Sequence, residues 1–223
     1  MSKLIFPALV CPLLVAFSAT ASAAADEAVT VTFVETFQRD EGSLPVSAVG
    51  LRPGAAAAAD ATDVVIVVDT SASQTGEYRA DALRAAGALV ETARDEDRVL
   101  VAAGDVGCVA LSNGFAPASS AASRAGLTAL QARTPLGSTD IVAVLEGAAA
   151  LFEASPAPRS IVYVGDGPTV AGVETAEFKG ALATLKNKRI SVSAVAVGPT
   201  VNWPCLAAIA NATGGMLIVP DAS

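Results

Sequence analysis

Histidine is absent from all 223 residues. That removes every Ser–His and Cys–His nucleophile pair and most zinc sites, because these need an imidazole as base or ligand. Any metal held by this chain should be a hard cation bound through oxygen. Aromatic residues are scarce at 4%, yet hydrophobic residues reach 52%, so much of the apolar content is Ala and Val. Small side chains suit close helix-on-sheet packing and argue against disorder. Positive charge is also short, with 14 Lys and Arg against 22 Asp and Glu for a net charge of −8. Such a surface repels phosphate backbones, so nucleic acid is excluded as a natural partner while a cation is acceptable. Neither GxGxxG nor GxxxxGK followed by Ser or Thr occurs, so a nucleotide-phosphate loop is missing as well.

Long hydrophobic runs are missing beyond the first residues. Lys3 precedes an apolar stretch from Leu4 to Phe17, and Ala21-Ser22-Ala23 has the small residues of a cleavage site. Residues 1–23 therefore read as a signal peptide, too short for a comfortable membrane span. Cys11 raises the question of lipidation, but Val10 stands where a small residue is expected. The expected product is secreted, periplasmic or at the cell surface, without stable membrane insertion of the mature chain. It would keep two cysteines, Cys108 and Cys205, too few for a disulfide framework.

Residues 29–37 alternate loosely, with Val29, Val31 and Phe33 on one side, and predict a strand docked on the main domain. Residues 38–62 read as an irregular linker with an Ala run at 55–59, so residues 24–61 form an N-terminal strand and Ala-rich linker. The main domain spans 62–223. Val64 to Val68 is an unbroken β-branched run, the pattern of a parallel strand covered on both faces. A helix follows Gly76, with Leu83, Gly87 and Val90 on one face. Strands are predicted at 98–103, 161–164, 190–197 and 216–219, and a short antiparallel one at 107–111 after the Gly104-Asp105 turn. Helices are predicted at 119–132 (Ala122, Leu127 and Leu130 inward), 140–154, 175–187 and 202–213. This alternation means βαβ units: an α/β fold with a mostly parallel central sheet, one short antiparallel strand and helices on both faces. In such sheets chemistry sits at the carboxyl ends of the strands, near the point where strand order reverses.

Those ends carry oxygen. Asp69-Thr70-Ser71-Ala72-Ser73 closes the first buried strand and turns one carboxylate and two hydroxyls toward the same side. Gly137-Ser138-Thr139-Asp140 offers another hydroxyl on a loop, and Asp166 ends a later strand between Gly165 and Gly167. Five oxygen donors, Asp69, Ser71, Ser73, Thr139 and Asp166, thus come from three loops at one edge. Carboxylates, hydroxyls and waters in octahedral geometry suit Mg²⁺. Ser71 and Ser73 could instead cap the following helix. Asp140 reads as a helix cap, Trp203, Phe115 and Pro117 as packing residues, and the charge run from Glu91 to Arg98 as a solvated helix end.

The DxSxS at 69–73, the Thr of Gly-Ser-Thr-Asp at 137–140 and the strand-end Asp-Gly at 166–167 resemble the metal-ion-dependent adhesion site of secreted bacterial-type von Willebrand factor A domains. The resemblance covers about residues 62–220 and implies that family's Rossmann-like three-layer sandwich, with the antiparallel strand at one edge. It implies that Asp69, Ser71, Ser73 and Thr139 coordinate Mg²⁺, or Mn²⁺ or Ca²⁺, and that Asp166 acts through a water. It also implies a protein partner presenting a carboxylate, which joins without heavy repulsion because two carboxylates and the ion sum to about zero charge. Two departures stand out. The family commonly has Ser or Thr where this chain has Gly165, which removes a hydroxyl and puts the holding of Asp166 in doubt. The chain also lacks the family's usual closing helix, and is expected to be a fragment of a longer protein.

The function expected is adhesion or assembly without catalysis. The alternatives are a metal-dependent phosphoryl-transfer hydrolase and a structural domain without bound metal. The first would want a second Asp where Ser71 stands. If the sheet order is the family's, Cys108 and Cys205 lie at opposite edges, on the order of 20 Å apart across several strands. A disulfide needs Cα atoms within roughly 7 Å, so both cysteines are expected to be unpaired.

Overall fold

A β-branched run with no polar interruption becomes the middle of a sheet, because both its faces need cover. In the computed structural model, which describes residues 29–37, 46–53, 61–152, 155–168 and 172–220, Val65 to Val68 are almost fully buried. The signal segment, Cys11 and the Ala run lie outside the described residues. The chain divides into two compact units, residues 1–59 and 60–223.

In the first unit, β1 (Val29–Phe37) pairs antiparallel with β2 (Val46–Pro53), with a register irregularity between Val31 and Phe33. The linker reading is corrected here, since residues 46–53 are a strand. Gly50 and Pro53 look like breakers in sequence. Pairing overrides them: Gly50 lies under the Phe33 ring, where a Cβ would come within 2.3 Å of ring carbons.

In the second unit the order is β3 (Asp63–Asp69), α1 (Gly76–Glu91), β4 (Arg98–Gly104), β5 (Cys108–Ala110), β6 (Ala116–Pro117), α2 (Ala121–Ala132), α3 (Ile141–Ala150), β7 (Arg159–Gly165), α4 (Ala176–Asn187), β8 (Ile190–Ala196), α5 (Trp203–Thr213) and β9 (Leu217–Ile218). The sheet runs β5-β4-β3-β7-β8-β9. Its core pairings are parallel, while β5 and β6 both lie antiparallel on β4. The expected α/β sandwich is therefore present, and β6 adds a second antiparallel piece where the sequence suggested only loop.

Strand alternation separates two cores. Val65, Val67, Leu100, Ile161, Tyr163 and Val192 face α3, α4 and α5, whereas Ile66, Val68, Val99, Val101 and Val164 face α1 and α2. The helix faces differ from the predicted ones. Helix α1 buries Ala82, Ala86 and Val90, with Leu83 only partly buried, and α2 buries Ser123, Gly126 and Leu130. The smallest residues face the strands because they allow the closest approach: a Cβ on Gly126 would stand 3.1 Å from Val101 Cβ.

The charge run is not simply a solvated end. Asp97 is buried and accepts the Thr62 N–H at 2.9 Å and two Arg94 donors at 3.0 and 2.6 Å. Next to it, Arg98 grips the buried Asp63 with Nε and Nη2 at 2.7 and 2.6 Å, and Ser155 donates to the same carboxylate. Carboxylates at the start of β3 and beside β4 are retained inside because each is paired and hydrogen-bonded. Phe115 is a packing residue, stacked on Phe152 at 5.3 Å between centroids. Trp203 is not: it is 46% exposed in the first turn of α5, whose buried residues are Cys205, Leu206, Ile209 and Ala210. Among the described residues, no helix is long and apolar enough to cross a membrane.

Candidate metal centre

The chain leaves the central strand β3 first toward β4 on one side and later returns to β7 on the other. Strand order therefore reverses between β3 and β7, and the loops beyond their carboxyl ends part to leave a crevice. Asp69 ends β3, and Asp166 directly follows β7. The loop after β3 is tied to the loop before α3 by backbone bonds from Ala72 N–H to Gly137 O at 3.0 Å and from Leu136 N–H to Thr70 O at 2.9 Å. Gly137 turns with φ 78°, a conformation that a side chain would strain. These ties bring the Thr139 loop over the end of β3.

All five predicted oxygen-bearing residues meet there. Asp69 is fully buried; its Oδ1 accepts the Ser71 N–H at 2.8 Å, and its Oδ2 accepts the Thr139 hydroxyl at 2.9 Å. Ser71 and Ser73 hydroxyls lie 3.0 Å apart, and Ser73 donates to Asp166 Oδ1 at 3.1 Å. A continuous hydrogen-bonded chain thus runs from Thr139 through Asp69, Ser71 and Ser73 to Asp166. The two serines do not cap α1, whose N-cap is Thr75. Asp140 caps α3, accepting the Ala143 N–H.

Two further residues belong to the site. Gln74, fully buried, donates from Nε2 to Asp166 Oδ1 and to Val197 O, both at 2.9 Å. Asp166 is therefore firmly held despite Gly165, which corrects the doubt raised by the sequence. Tyr163, also buried, donates to Asp69 Oδ2 at 2.5 Å and accepts the Gly167 N–H at 3.2 Å. Neither residue stands out in the sequence. A glutamine ahead of a helix looks solvated, and a tyrosine in an apolar strand looks like core. Behind the site, Thr70 and Arg133 hold Asp105 at 3.1 and 2.7 Å. Burial raises the Asp105 pKa, but the bonds from Arg133, the Val106 N–H and Thr70, with the Arg133 charge, bring it below the usual range.

The donor set suits a hard divalent cation. Among the described residues no three His, Cys, Asp or Glu side chains group together, so a metal here depends on hydroxyls as well as on Asp69 and Asp166. Burial pushes the Asp166 carboxyl up, and the Asp69 charge pushes it further, against the hydrogen bonds from Gln74 and Ser73. A cation held by these residues would offset both effects. Burial, then the charge and hydrogen bond of Asp69, raise the Tyr163 hydroxyl well above its ordinary pKa, so it stays protonated as a donor. Two depressions border the crevice, one of about 520 Å³ beside Ser73 and Pro199, the other of about 300 Å³ beside Thr139 and Phe178.

A family model described as von Willebrand factor type A domain matches residues 62–218. No curated protein sequence matches significantly. Solved structures match in fold. A von Willebrand factor type A protein from Catenulispora acidiphila superposes with a TM-score of 0.63 at 19% identity, over 80% of this chain and 41% of that one. The ArnB paralog VWA2 from Sulfolobus acidocaldarius gives 0.64 at 18% identity, over 87% and 52%. The manganese-loaded TRAP protein of Plasmodium vivax gives 0.55 at 17% identity, over 68% and 63%. This chain spans less than two thirds of each of these three.

Proposed function

Because the chain belongs to the von Willebrand factor type A domain family, we propose that it is an exported, divalent-metal-dependent protein-binding module. One observation carries the reading: five oxygen-bearing residues from three loops join in one hydrogen-bonded chain at the β3/β7 crevice, the Asp69–Ser71 link running through the Ser71 backbone N–H. Asp69, Ser71, Ser73 and Thr139 would hold the ion, with Asp166 acting through a water. The manganese-loaded Plasmodium vivax relative supports a divalent metal in this fold. Bound there, the ion supplies a Lewis-acidic position for a carboxylate of the partner protein. The residues of this chain supply the rest. Two carboxylates offset the ion's charge, and the hydroxyls complete its shell without adding charge, so a third carboxylate can approach. Catalysis is not expected, because the carboxylates serve the metal and no histidine is present as a base.

Calorimetric titration with Mg²⁺ and Mn²⁺ tests the site. Wild type should bind, and Asp69→Ala should not, while keeping a cooperative melt. Wild-type affinity in Asp69→Ala would overturn the reading.

A further inference from the structure

We infer that Tyr163 is the positioning residue of the metal centre, its phenol reaching over Gly165 to orient the Asp69 carboxylate. The inference rests on the metal-site reading above and goes one layer behind it.

Residues 163 and 165 lie on the same face of β7, because side chains alternate along a strand. They are about 6.6 Å apart along it, a distance that a tyrosine side chain leaning along the strand can cover. The Tyr163 hydroxyl therefore arrives over Gly165, beside the end of β3. There it donates to Asp69 Oδ2 at 2.5 Å. The direction is fixed, since an ionised carboxylate only accepts, and the hydroxyl oxygen is left to accept the Gly167 N–H at 3.2 Å. One phenol thus joins the Asp69 carboxylate to the backbone that carries Asp166. Of the donors to Asp69, Thr139 is itself a candidate ligand. The Ser71 N–H and the Tyr163 hydroxyl are the two that remain to orient the carboxylate when an ion takes up its free lone pairs.

Glycine at 165 is the condition for this. A Cβ there would lie 2.4 Å from Asp69 Cβ, 2.8 Å from the Tyr163 hydroxyl oxygen and 3.1 Å from Asp69 Oδ2. A side chain at 165 would crowd Asp69 first and the phenol oxygen next, so glycine leaves room for the bond between them.

The test compares full-length wild type, Asp69→Ala, Tyr163→Phe, Gly165→Ser and Tyr78→Phe. Mn²⁺ affinity is measured by calorimetry, apo-protein folding by circular dichroism and thermal melting, and the tyrosine ultraviolet difference spectrum on Mn²⁺ addition. Asp69→Ala should bind no Mn²⁺. Tyr163→Phe should bind roughly ten- to a hundredfold more weakly than wild type, the usual effect of losing a partner that orients a ligand. Gly165→Ser should also bind more weakly, because its Cβ displaces Asp69 and the phenol oxygen. Mn²⁺ should perturb a tyrosine signal in wild type and in Tyr78→Phe. Wild-type affinity in a folded Tyr163→Phe would overturn the positioning role while leaving the metal site standing, and wild-type or tighter binding in Gly165→Ser would overturn the need for glycine at 165. If Tyr163→Phe does not fold, the spectrum decides: an unchanged tyrosine signal in Mn²⁺-bound Tyr78→Phe overturns the inference. Absence of Mn²⁺ binding in wild type overturns the metal-site reading itself.

Discussion

Gln74 directly follows the DxSxS motif, and its amide is the only side-chain nitrogen among the described residues that contacts Asp166. Its Nε2 also reaches Val197 O beyond β8, so one side chain links the loop after β3 to the ends of β7 and β8. Gln74→Leu keeps much of the volume but removes the amide donor from the Val197 carbonyl and from Asp166, which keeps only the Ser73 hydroxyl among side-chain donors of the described residues. The expected cost is about 1–3 kcal/mol, read by chemical denaturation of the apo protein. An unchanged denaturation midpoint would show that water replaces the amide. Four of the five oxygen residues were legible in the sequence because each lies within a few residues of a strand end, and Thr139 because Gly-Ser-Thr-Asp opens a helix. Gln74 and Tyr163 were not, because their roles come from partners 92 and 94 residues away in the chain.

At the opposite end of the sheet, the entry to β4 is fixed by charge. The bond from Arg94 is the main reason that the Asp97 carboxyl stays below the usual carboxylate range, against burial and with help from the Thr62 N–H. A depressed folded-state pKa contributes stability that is complete above the unfolded value, about 4. That contribution is lost as pH falls through the lower folded value. Asp97→Asn should therefore be less stable than wild type at neutral pH, and the difference should shrink as the solution is acidified below about pH 4. Urea melts across that range check it, and a constant difference would exclude the charge as its source. Periodicity marked this segment as a helix end followed by a strand. It could not separate solvated charges from buried ones, because that depends on Thr62 and Asp63 arriving from the neighbouring strand.

Over the whole molecule, strand order decides the fate of Cys108 and Cys205. Cys108 is in β5 at one edge of the sheet, and Cys205 is in α5, which leads to β9 at the other. Both are free, as the sequence predicted, with four strands between those edges. Burial pushes both thiols up to about 11, helped at Cys108 by the charge of Asp105. Little thiolate exists at neutral pH, so both should react slowly with thiol reagents in the native protein. After unfolding without reductant, peptide mapping should find Cys108 and Cys205 both labelled. Failure to label either one would mean a disulfide, and with it a different strand order.

The sequence alone determined the alternation of strands and helices in residues 62–218 and the family to which that pattern belongs. It also determined which strand ends carry oxygen. These follow from local rules: β-branched runs need cover on both faces, and Asp, Ser and Thr after such runs lie at the sheet's carboxyl edge. Tertiary structure alone decided that β2 pairs with β1, that Ala82, Ala86, Ser123 and Gly126 face the strands, and that Asp97 is buried. It alone also decided that Gln74 and Tyr163 hold the two carboxylates. Each of those depends on which distant backbone comes close enough to exclude water or accept a proton, and no spacing along the chain encodes that distance.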